Sequence, residues 1–271
     1  MKKIIWLLLI SVLLLSAASC GHAHTYEETY QFNETHHWRR STCGHADAIR
    51  DKGTHSFGDG QSCTVCGYEK SPFSFKLSAD GSCYVITKLE DNSVTSLTLP
   101  TVYGGLQVLG IEADAFSANG GKLESVVIPD TYVSIGARAF AGCTALKNVV
   151  IGKGVTTIEE RAFYGCTALE NLTLKEGLVN VHARAFAGCT SLTALSIPNT
   201  VKYLNEEAFA GCTAIASVFI PTGVISVDRH AFTGNTALTL IQCEASAQPS
   251  GWSSEWNGNE GATVSWGATK N

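Results

Sequence analysis

The chain has 271 residues, of which 45% are hydrophobic, and its 24 acidic residues outnumber 19 basic ones, giving a formal net charge of −5. This charge argues against a nucleic-acid-binding protein and against a basic membrane-surface patch, because both need clustered positive charge. The length is ample for a sizeable buried core.

The first 19 residues have the pattern of a secretory signal peptide. Lys2 and Lys3 precede an apolar run over residues 4–15, which is too short to cross a bilayer and is followed by small residues. The tetrapeptide Ala17-Ala18-Ser19-Cys20 resembles a bacterial lipobox, in which Cys20 becomes the acylated first residue. We therefore expect an exported, membrane-anchored surface lipoprotein, and several acyl chains would give stable anchoring. The alternative is ordinary cleavage near Ser19, with Cys20 incidental.

Residues 20–71 are rich in His and Cys and poor in aliphatic side chains. Such a stretch cannot build an apolar core, so it is either disordered or held together by other bonds. Cys63 and Cys66 have the C-x-x-C-G form of a zinc knuckle, and Cys43 with His45 supplies a further pair. His55 or His37 would complete a tetrahedral structural zinc site. A disulfide, either Cys63 to Cys66 or Cys43 to one of them, and an unstructured His-rich spacer are the alternatives.

Residues 72–96 are predicted to form an N-terminal cap. Phe73, Phe75 and Leu77 alternate, Asp80-Gly81 favours a hairpin turn, and residues 84–86 return as a second strand. A hairpin at this place would shield the open edge of the adjoining repeats.

Residues 97–241 are dominated by an internal repeat of 23 residues. Leucine or isoleucine, phenylalanine and cysteine recur at this spacing: Leu123, Leu146, Leu169, Leu192, Ile215 and Leu238; Phe140, Phe163, Phe186, Phe209 and Phe232; Cys143, Cys166, Cys189 and Cys212. A fixed period of this size predicts a solenoid, in which each coil buries its apolar side against its neighbours.

Each coil begins with Leu-x-x-Val-x-Ile, as at Leu123, Val126 and Ile128, which is the spacing of a short strand. A turn, a second short strand at Tyr132 and Ile135, and a turn of helix in Ala-Phe-x-Gly-Cys-Thr complete the coil. The predicted fold class is mainly β with short helical turns: a solenoid of about six coils with a cap at each end. The first coil is irregular, with about six extra residues around Gly104-Gly105.

The coils of residues 123–241 resemble, in sequence, the BspA-like leucine-rich repeats of bacterial surface proteins. The resemblance rests on Val126-Val127-Ile128-Pro129, Ile135-Gly136 and Ala139-Phe140-Ala141-Gly142-Cys143. The Cys/His pattern of residues 37–67 is similar to small modules that precede such repeats. The resemblance implies a surface-exposed binding protein.

The remaining 30 residues, 242–271, abandon the period and contain Trp252, Trp256 and Trp266. We expect these rings to seal the last coil as a C-terminal cap; a carbohydrate-stacking patch is the alternative.

The four repeated cysteines are expected to be buried free thiols, because equivalent side chains of stacked coils point the same way and cannot converge into a disulfide.

The outward positions of the first strand of each coil form the predicted contact surface, which we call the ribbon. Its expected partner-binding residues are Glu124, Ser125, Val127, Asn148, Val150, Asn171, Thr173, Ser196, Ser217 and Phe219. The ribbon has small side chains and little charge, which suits a protein or glycan partner better than an anionic polymer. The expected oligomeric state is a monomer.

No catalytic motif stands apart from the repeats, since His182 and His230 have no paired nucleophile and no Gly-rich phosphate loop is present. We therefore expect a non-enzymatic surface lipoprotein that binds a protein or glycan, in adhesion or host interaction. Zinc capture by the His-rich module and a purely structural role in the envelope are the alternatives.

Overall fold

The computed structural model describes residues 31–32, 36–40, 49–54, 56, 71–117, 121–258 and 261–270. The chain divides into two units, Met1–Ser71 and Pro72–Asn271. The strands of the first unit are β1 (Gln31–Phe32), β2 (His36–Arg40) and β3 (Ile49–Thr54). The strands of the second unit are β4 (Phe73–Leu77), β5 (Tyr84–Leu89), β6 (Ser96–Thr98), β7 (Val102–Tyr103), β8 (Leu106–Ile111), β9 (Ser125–Ile128), β10 (Ser134–Ile135), β11 (Asn148–Ile151), β12 (Thr157–Ile158), β13 (Asn171–Leu174), β14 (Asn180–Val181), β15 (Leu195–Ser196), β16 (Tyr203–Leu204), β17 (Ser217–Ile220), β18 (Ser226–Val227), β19 (Leu240–Cys243) and β20 (Thr263–Trp266).

The first unit contains a three-stranded antiparallel sheet in the order β1-β2-β3. The sequence did not predict these strands, because their composition lacks the apolar alternation that marks a half-buried strand. Their backbone pairing supplies part of the order that the segment cannot obtain from an apolar core.

The second unit is a parallel β-solenoid, which confirms the predicted fold. Each coil gives one strand to the ribbon and one to a second sheet, and equivalent residues pair one period apart, as Asn148 does with Ser125 and with Asn171. The ribbon consists of β6, β9, β11 and β13 in one four-stranded sheet and β15, β17, β19 and β20 in another. The second sheet runs from β18 through β16, β14, β12, β10 and β8 to β5 and β4. The ribbon therefore has more strands than about six coils require, because β19 and β20 continue the stacking beyond the last full repeat.

A row of stacked phenylalanines forms the centre of the solenoid core. Their ring centroids succeed one another at 4.5 Å (Phe116–Phe140), 4.9 Å (Phe140–Phe163), 5.1 Å (Phe163–Phe186), 5.2 Å (Phe186–Phe209) and 5.9 Å (Phe209–Phe232). All of these rings are fully buried. The spacing results from the ladder itself, since neighbouring strands lie about 4.8 Å apart and carry equivalent side chains in the same direction.

The segment between the second strand of one coil and the ribbon strand of the next was expected to contain a turn of helix. It consists of successive hydrogen-bonded turns instead: the Ala141 N–H donates to Arg138 O at 3.0 Å, and the Cys143 N–H donates to Phe140 O at 3.1 Å. Other amides of the segment bond to the next coil, as Phe140 N–H does to Ala162 O at 2.7 Å. Because donors are shared between the coil and its neighbour, a continuous helix cannot form. Within the described residues the structure contains no α-helix.

The N-terminal hairpin is present as predicted, with β4 antiparallel to β5 and Gly81 in the turn at φ 70°. β5 pairs parallel with β8, so the hairpin covers the first edge of the second sheet. The extra residues of the first coil form a small hairpin of β7 with β8, and Gly104 and Gly105 have positive φ values of 56° and 82° there.

The C-terminal tryptophans close the core at the other end. Trp256 meets Phe232 edge-on at 6.3 Å and Trp252 at 4.9 Å, and both indoles are almost fully buried. The Trp252 indole N–H donates to Val224 O at 3.2 Å. Trp266 packs against the same cluster while remaining partly exposed. The arrangement favours capping over a carbohydrate-stacking patch, because stacking on a sugar needs an exposed ring face.

The repeated cysteines are buried free thiols. Each thiol reaches the carbonyl oxygen of a phenylalanine in the preceding coil: Cys166 Sγ lies 3.2 Å from Phe140 O, Cys189 Sγ 3.4 Å from Phe163 O and Cys212 Sγ 3.3 Å from Phe186 O. Burial raises the pKa of Cys143 to about 12 and also raises the pKa of Cys166. The thiols of Cys143 and Cys166 therefore stay protonated, and the repeated cysteines pack as small side chains within the core.

Candidate interaction surface

The ribbon presents alternating side chains, with one set buried in the core and the other directed outward. In β11, Val149 and Ile151 are 1% exposed, whereas Asn148 is exposed and Val150 is half-buried. The predicted contact residues share this pattern. Exposed members are Glu124, Asn148, Asn171, Thr173, Ser196 and Ser217, and half-buried members are Ser125, Val127, Val150 and Phe219. Nine of the predicted residues lie at outward positions of the ribbon strands, and Glu124 directly precedes β9.

The outward side chains of the ribbon are organised by contacts between coils. The Asn171 amide Nδ2 donates to Asn148 Oδ1 at 2.8 Å, which forms a short amide ladder. Beside it, Lys147 Nζ lies 3.1 Å from Glu124 Oε2. Because this pair is exposed, it contributes little to stability but cancels local charge. The middle of the ribbon is therefore polar, and this ion pair adds no net charge to it.

Larger apolar side chains occur near the C-terminal end of the ribbon. Phe219 is half-buried, and Lys270 Nζ lies 6.0 Å from the centroid of its ring. Leu240, one strand further along, is also half-buried. The ribbon consequently changes from amide and valine side chains at β11 to an aromatic and aliphatic pair at β17 and β19.

One edge of the ribbon is held by carboxylates that accept backbone N–H groups of the next coil. Asp130 Oδ1 accepts the Lys153 N–H at 3.0 Å and Lys175 Nζ at 3.2 Å. The hydrogen bond from the Lys153 N–H is the larger cause, and the bond from Lys175 the smaller, of a pKa of Asp130 below its ordinary value. Glu244 accepts the Thr222 N–H at 2.8 Å, here from the preceding coil. These acidic residues serve the turns, so they are not a free acidic patch.

The ribbon is interrupted between β13 and β15. Both strands are fully described, yet no backbone hydrogen bond joins them, and the ribbon divides into two sheets at this place. Leu172 and Leu174 point inward but are half-buried, whereas the equivalent Val149 and Ile151 are 1% exposed. This interruption was not visible in the 23-residue period, which continues through it without insertion.

Charged side chains form a separate column beside the second sheet. Arg138, Arg161, Arg184, Glu207 and His230 all have positive φ, between 54° and 59°, at the same position of successive coils. Side chains of this column and of the position before it are paired along the solenoid: Arg138 Nη2 with Asp114 at 2.7 Å, Arg184 Nε with Glu207 at 2.8 Å and Arg229 Nη2 with Glu206 at 2.6 Å. The pKa of Glu207 is lowered by its hydrogen bond from Arg184. The column is a solvated edge in which opposite charges are balanced.

The two histidines of the solenoid lie on this side and are separated by one coil. His182 Nε2 lies 3.7 Å from Glu159, and both of its ring nitrogens contact the side-chain amides of Asn180 and Asn205. His230 Nε2 lies 3.8 Å from Glu255. Neither imidazole is brought next to a nucleophile. Across the part of the chain that the structure describes, no group of three His, Cys, Asp or Glu side chains is arranged to hold a metal ion.

The other predicted sites lie elsewhere. The signal peptide, the lipidation site Cys20 and the metal ligands Cys43, His45, His55, Cys63 and Cys66 lie outside the described residues. His37 belongs to β2, where only its backbone is described. Among the residues that are described, no helix is long and apolar enough to span a bilayer.

Comparison with known proteins agrees with the geometry of the coils. Residues 110–239 match the family model of the BspA type leucine-rich repeat region, in six copies. Residues 110–239 are therefore BspA-type leucine-rich repeats. The family match covers the Phe stack and most of the ribbon; it does not extend to the Cys/His-rich segment.

Two solved structures support the leucine-rich-repeat fold. A leucine-rich-repeat protein of T. pallidum is 27% identical, with a TM-score of 0.60, over 72% of this chain and 83% of that one. A leucine-rich cell surface protein of Faecalibacterium prausnitzii is 29% identical, with a TM-score of 0.50, over 67% of this chain and 55% of that one. The chain therefore spans little more than half the length of the second protein. No curated protein matches the sequence.

Proposed function

We propose that this BspA-type protein is an exported, non-enzymatic binding protein that recognises a protein partner at the cell surface through the ribbon. The observation that carries the proposal is the polar centre of the ribbon, where Asn148 and Asn171 form an amide ladder beside the half-buried Val127 and Val150. Amide and small aliphatic groups suit the centre of a protein interface, where charged residues are depleted. The similar Faecalibacterium prausnitzii protein is described as a cell surface protein, which supports the location.

Adhesion to host or neighbouring cells is the role in which such a surface would act. A glycan is the alternative occupant, because amide side chains also hydrogen-bond to hydroxyl groups. The ribbon favours a protein because its half-buried apolar side chains, Val127, Val150 and Phe219, recur along one outward row of the strands. Several weak contacts spread over successive coils would then act together.

The test is binding of the purified full chain to panels of extracellular-matrix proteins and glycans. Asn148→Glu and Ser217→Glu place a charge on the exposed ribbon at two separate strands, and each is expected to reduce binding at least tenfold. Thr156→Glu adds the same charge at an exposed position outside the ribbon and is the matched control. If the control reduces binding as strongly as the ribbon variants, or if only glycans bind, the proposed protein-binding face is wrong.

The lipid anchor and the metal are further parts of the proposal. We propose that Cys20 becomes diacylated or triacylated and holds the protein on the membrane. Metabolic labelling with a fatty-acid analogue in a bacterial host is expected to label the wild type but not Cys20→Ala, and an unlabelled wild type would contradict the anchor. We also propose that Cys43, His45, Cys63 and Cys66, with His55 or His37 as the alternative ligands, bind one structural zinc ion.

A further inference from the structure

The outer sheet edges at the two ends of the solenoid are protected to different degrees. We call a strand an outer edge when it is the last strand of the ribbon or of the second sheet at one end of the solenoid. The outer edges are β4 and β6 at the N-terminal end and β18 and β20 at the C-terminal end. Such edges can pair with strands of other chains, and natural proteins normally protect them with proline, charge, a bulge, a short strand or a covering segment.

Both outer edges at the N-terminal end carry such protection. Pro72 precedes β4, and Lys76 on β4 forms a 2.6 Å ion pair with Glu112. The pairing of β4 with β5 also contains a register shift. β6 has only three residues, and Pro100 follows shortly after it. Either edge is therefore a poor template for a further strand.

The outer edge of the second sheet at the C-terminal end is covered by the chain itself. The Ser253 N–H donates to Val227 O at 2.9 Å. The Ser226 hydroxyl donates to Gly251 O at 3.1 Å. The segment that contains the buried Trp252 therefore lies where a further strand would pair with β18.

The outer edge of the ribbon, β20, has none of these protective features. β20 pairs with β19 without a register shift, and among the described residues no strand pairs with its other side. Residues 261–268 contain neither proline nor a charged residue. The Thr263 N–H donates to Thr239 O at 2.9 Å, so the backbone groups of the odd-numbered residues of β20 face β19. The backbone N–H and C=O groups of Val264 and Trp266 therefore face the open side.

The side chains of β20 leave part of the apolar core uncovered at this edge. Val264 and Trp266 are at inward positions and pack against the core, yet both are only half-buried. The equivalent residues of β19, Ile241 and Cys243, are fully buried. Ser265, on the outward face between the two apolar residues, is small and exposed. A strand added beside β20 would bury more of both apolar side chains without meeting a bulky outward one.

We propose that two copies of this chain pair through β20, antiparallel and about a two-fold axis at Ser265. In that register Val264 of each copy lies opposite Trp266 of the other, and the two residues exchange both of their outward-facing backbone hydrogen bonds. Their side chains share the inner face as aromatic and β-branched cross-strand pairs. The two copies of Ser265 meet on the outer face as a closely spaced pair that makes no backbone hydrogen bonds.

A second copy fits this edge because β20 is complementary to itself. Shifting the register by one residue would place Val264 opposite Ser265 and would bring an inward and an outward side chain to the same face, so the pleat selects the proposed register. The contact is small, and we therefore expect a weak dimer in place of the expected monomer. Pairing would join the sheets β15-β17-β19-β20 of both copies into one continuous sheet and so enlarge the ribbon.

The first test is sedimentation equilibrium of the full chain under reducing conditions, which exclude dimers linked by disulfides. We expect the average mass to rise from that of one chain towards that of two as the concentration increases into the high micromolar range. Val264→Pro removes an N–H that faces the open side and no bond to β19, so it should weaken the dimer at least tenfold and leave the thermal unfolding midpoint close to that of the wild type. A chain that stays monomeric throughout, or a dimer that Val264→Pro leaves unchanged, would overturn the proposal.

The second test places opposite charges at the two-fold axis. Ser265→Lys and Ser265→Glu each bring like charges opposite one another at an exposed position, and each should weaken the dimer about fivefold. An equimolar mixture of the two variants should associate at least as strongly as the wild type, because each pair then brings opposite charges together. Ser217→Lys adds the same charge at an exposed position of β17 and is the matched control. A mixture that does not recover association, or an equal loss in the control, would reject pairing through β20. Because no ligand is added, neither result depends on the proposed binding function.

Discussion

Replacing a phenylalanine in the middle of the stack by leucine should destabilise the solenoid more than the same replacement at the end of the stack. Phe163 is fully buried and stacks on Phe140 at 4.9 Å and on Phe186 at 5.1 Å. Replacement by Leu keeps most of the buried apolar volume but removes two aromatic pairs, each of which contributes about 0.5–1.5 kcal/mol beyond burial. We therefore expect Phe163→Leu to lower the unfolding free energy by about 1–3 kcal/mol, and Phe163→Ala by about 3–5 kcal/mol, since alanine also leaves a cavity.

The matched control is Phe232→Leu at the end of the row. Phe232 is equally buried, but it has a stacked neighbour at 5.9 Å on one side and Trp256 edge-on at 6.3 Å on the other. Phe232→Leu should lower the unfolding free energy less than Phe163→Leu, because both ring contacts of Phe232 are longer than those of Phe163. Urea unfolding of the full chain, monitored by far-UV circular dichroism, measures the difference. If Phe163→Leu costs less than about 0.5 kcal/mol, which is the ordinary range of a surface substitution, the stack is not a source of stability.

Three further predictions concern the core thiols, a coil contact and the metal. Burial raises the pKa of Cys143 from 9.0 to about 12, so the stability that this thiol contributes should be complete below pH 9.0 and be lost as the pH rises towards 12. Alkylation followed by peptide mass spectrometry should find the thiol unreactive at pH 8. Rapid labelling would contradict its burial. Gly223→Ala would place a Cβ 2.1 Å from Asn199 O and should cost about 2 kcal/mol or more, whereas Gly121→Ala meets no atom within 4 Å and should be nearly neutral; equal thermal unfolding midpoints would refute the contact. The purified protein should contain one zinc ion per chain by atomic absorption, Cys63→Ser should lose it, and several exchangeable ions would favour zinc capture instead.

The sequence determined the repeat and, through it, the stacking of the core. Because Phe140 and its equivalents recur every 23 residues, each coil must present the same side chain in the same direction, and the strand spacing then stacks the rings. The same argument predicted that Asn148 and Asn171 lie on one outward face and that the repeated cysteines remain free thiols. The hairpin at Asp80-Gly81 was predictable because its turn chemistry is local. The expected turn of helix was not observed, because hydrogen bonds to the adjacent coil compete with the bonds that a helix would make.

The candidate site depended more on tertiary contacts. The charge balance of the ribbon could be read from the residues, but the interruption between β13 and β15 could not, since it changes hydrogen bonding without changing the period. Whether Trp252 and Trp256 form a cap or a sugar-binding patch also required the structure, because composition does not determine which ring faces are buried. A repeat fixes local geometry through identical neighbours, whereas its irregularities depend on how particular side chains fill the space between two coils. For this protein the sequence therefore determined the solenoid and its outward face, and only the tertiary structure showed where the strand pairing of that face is interrupted.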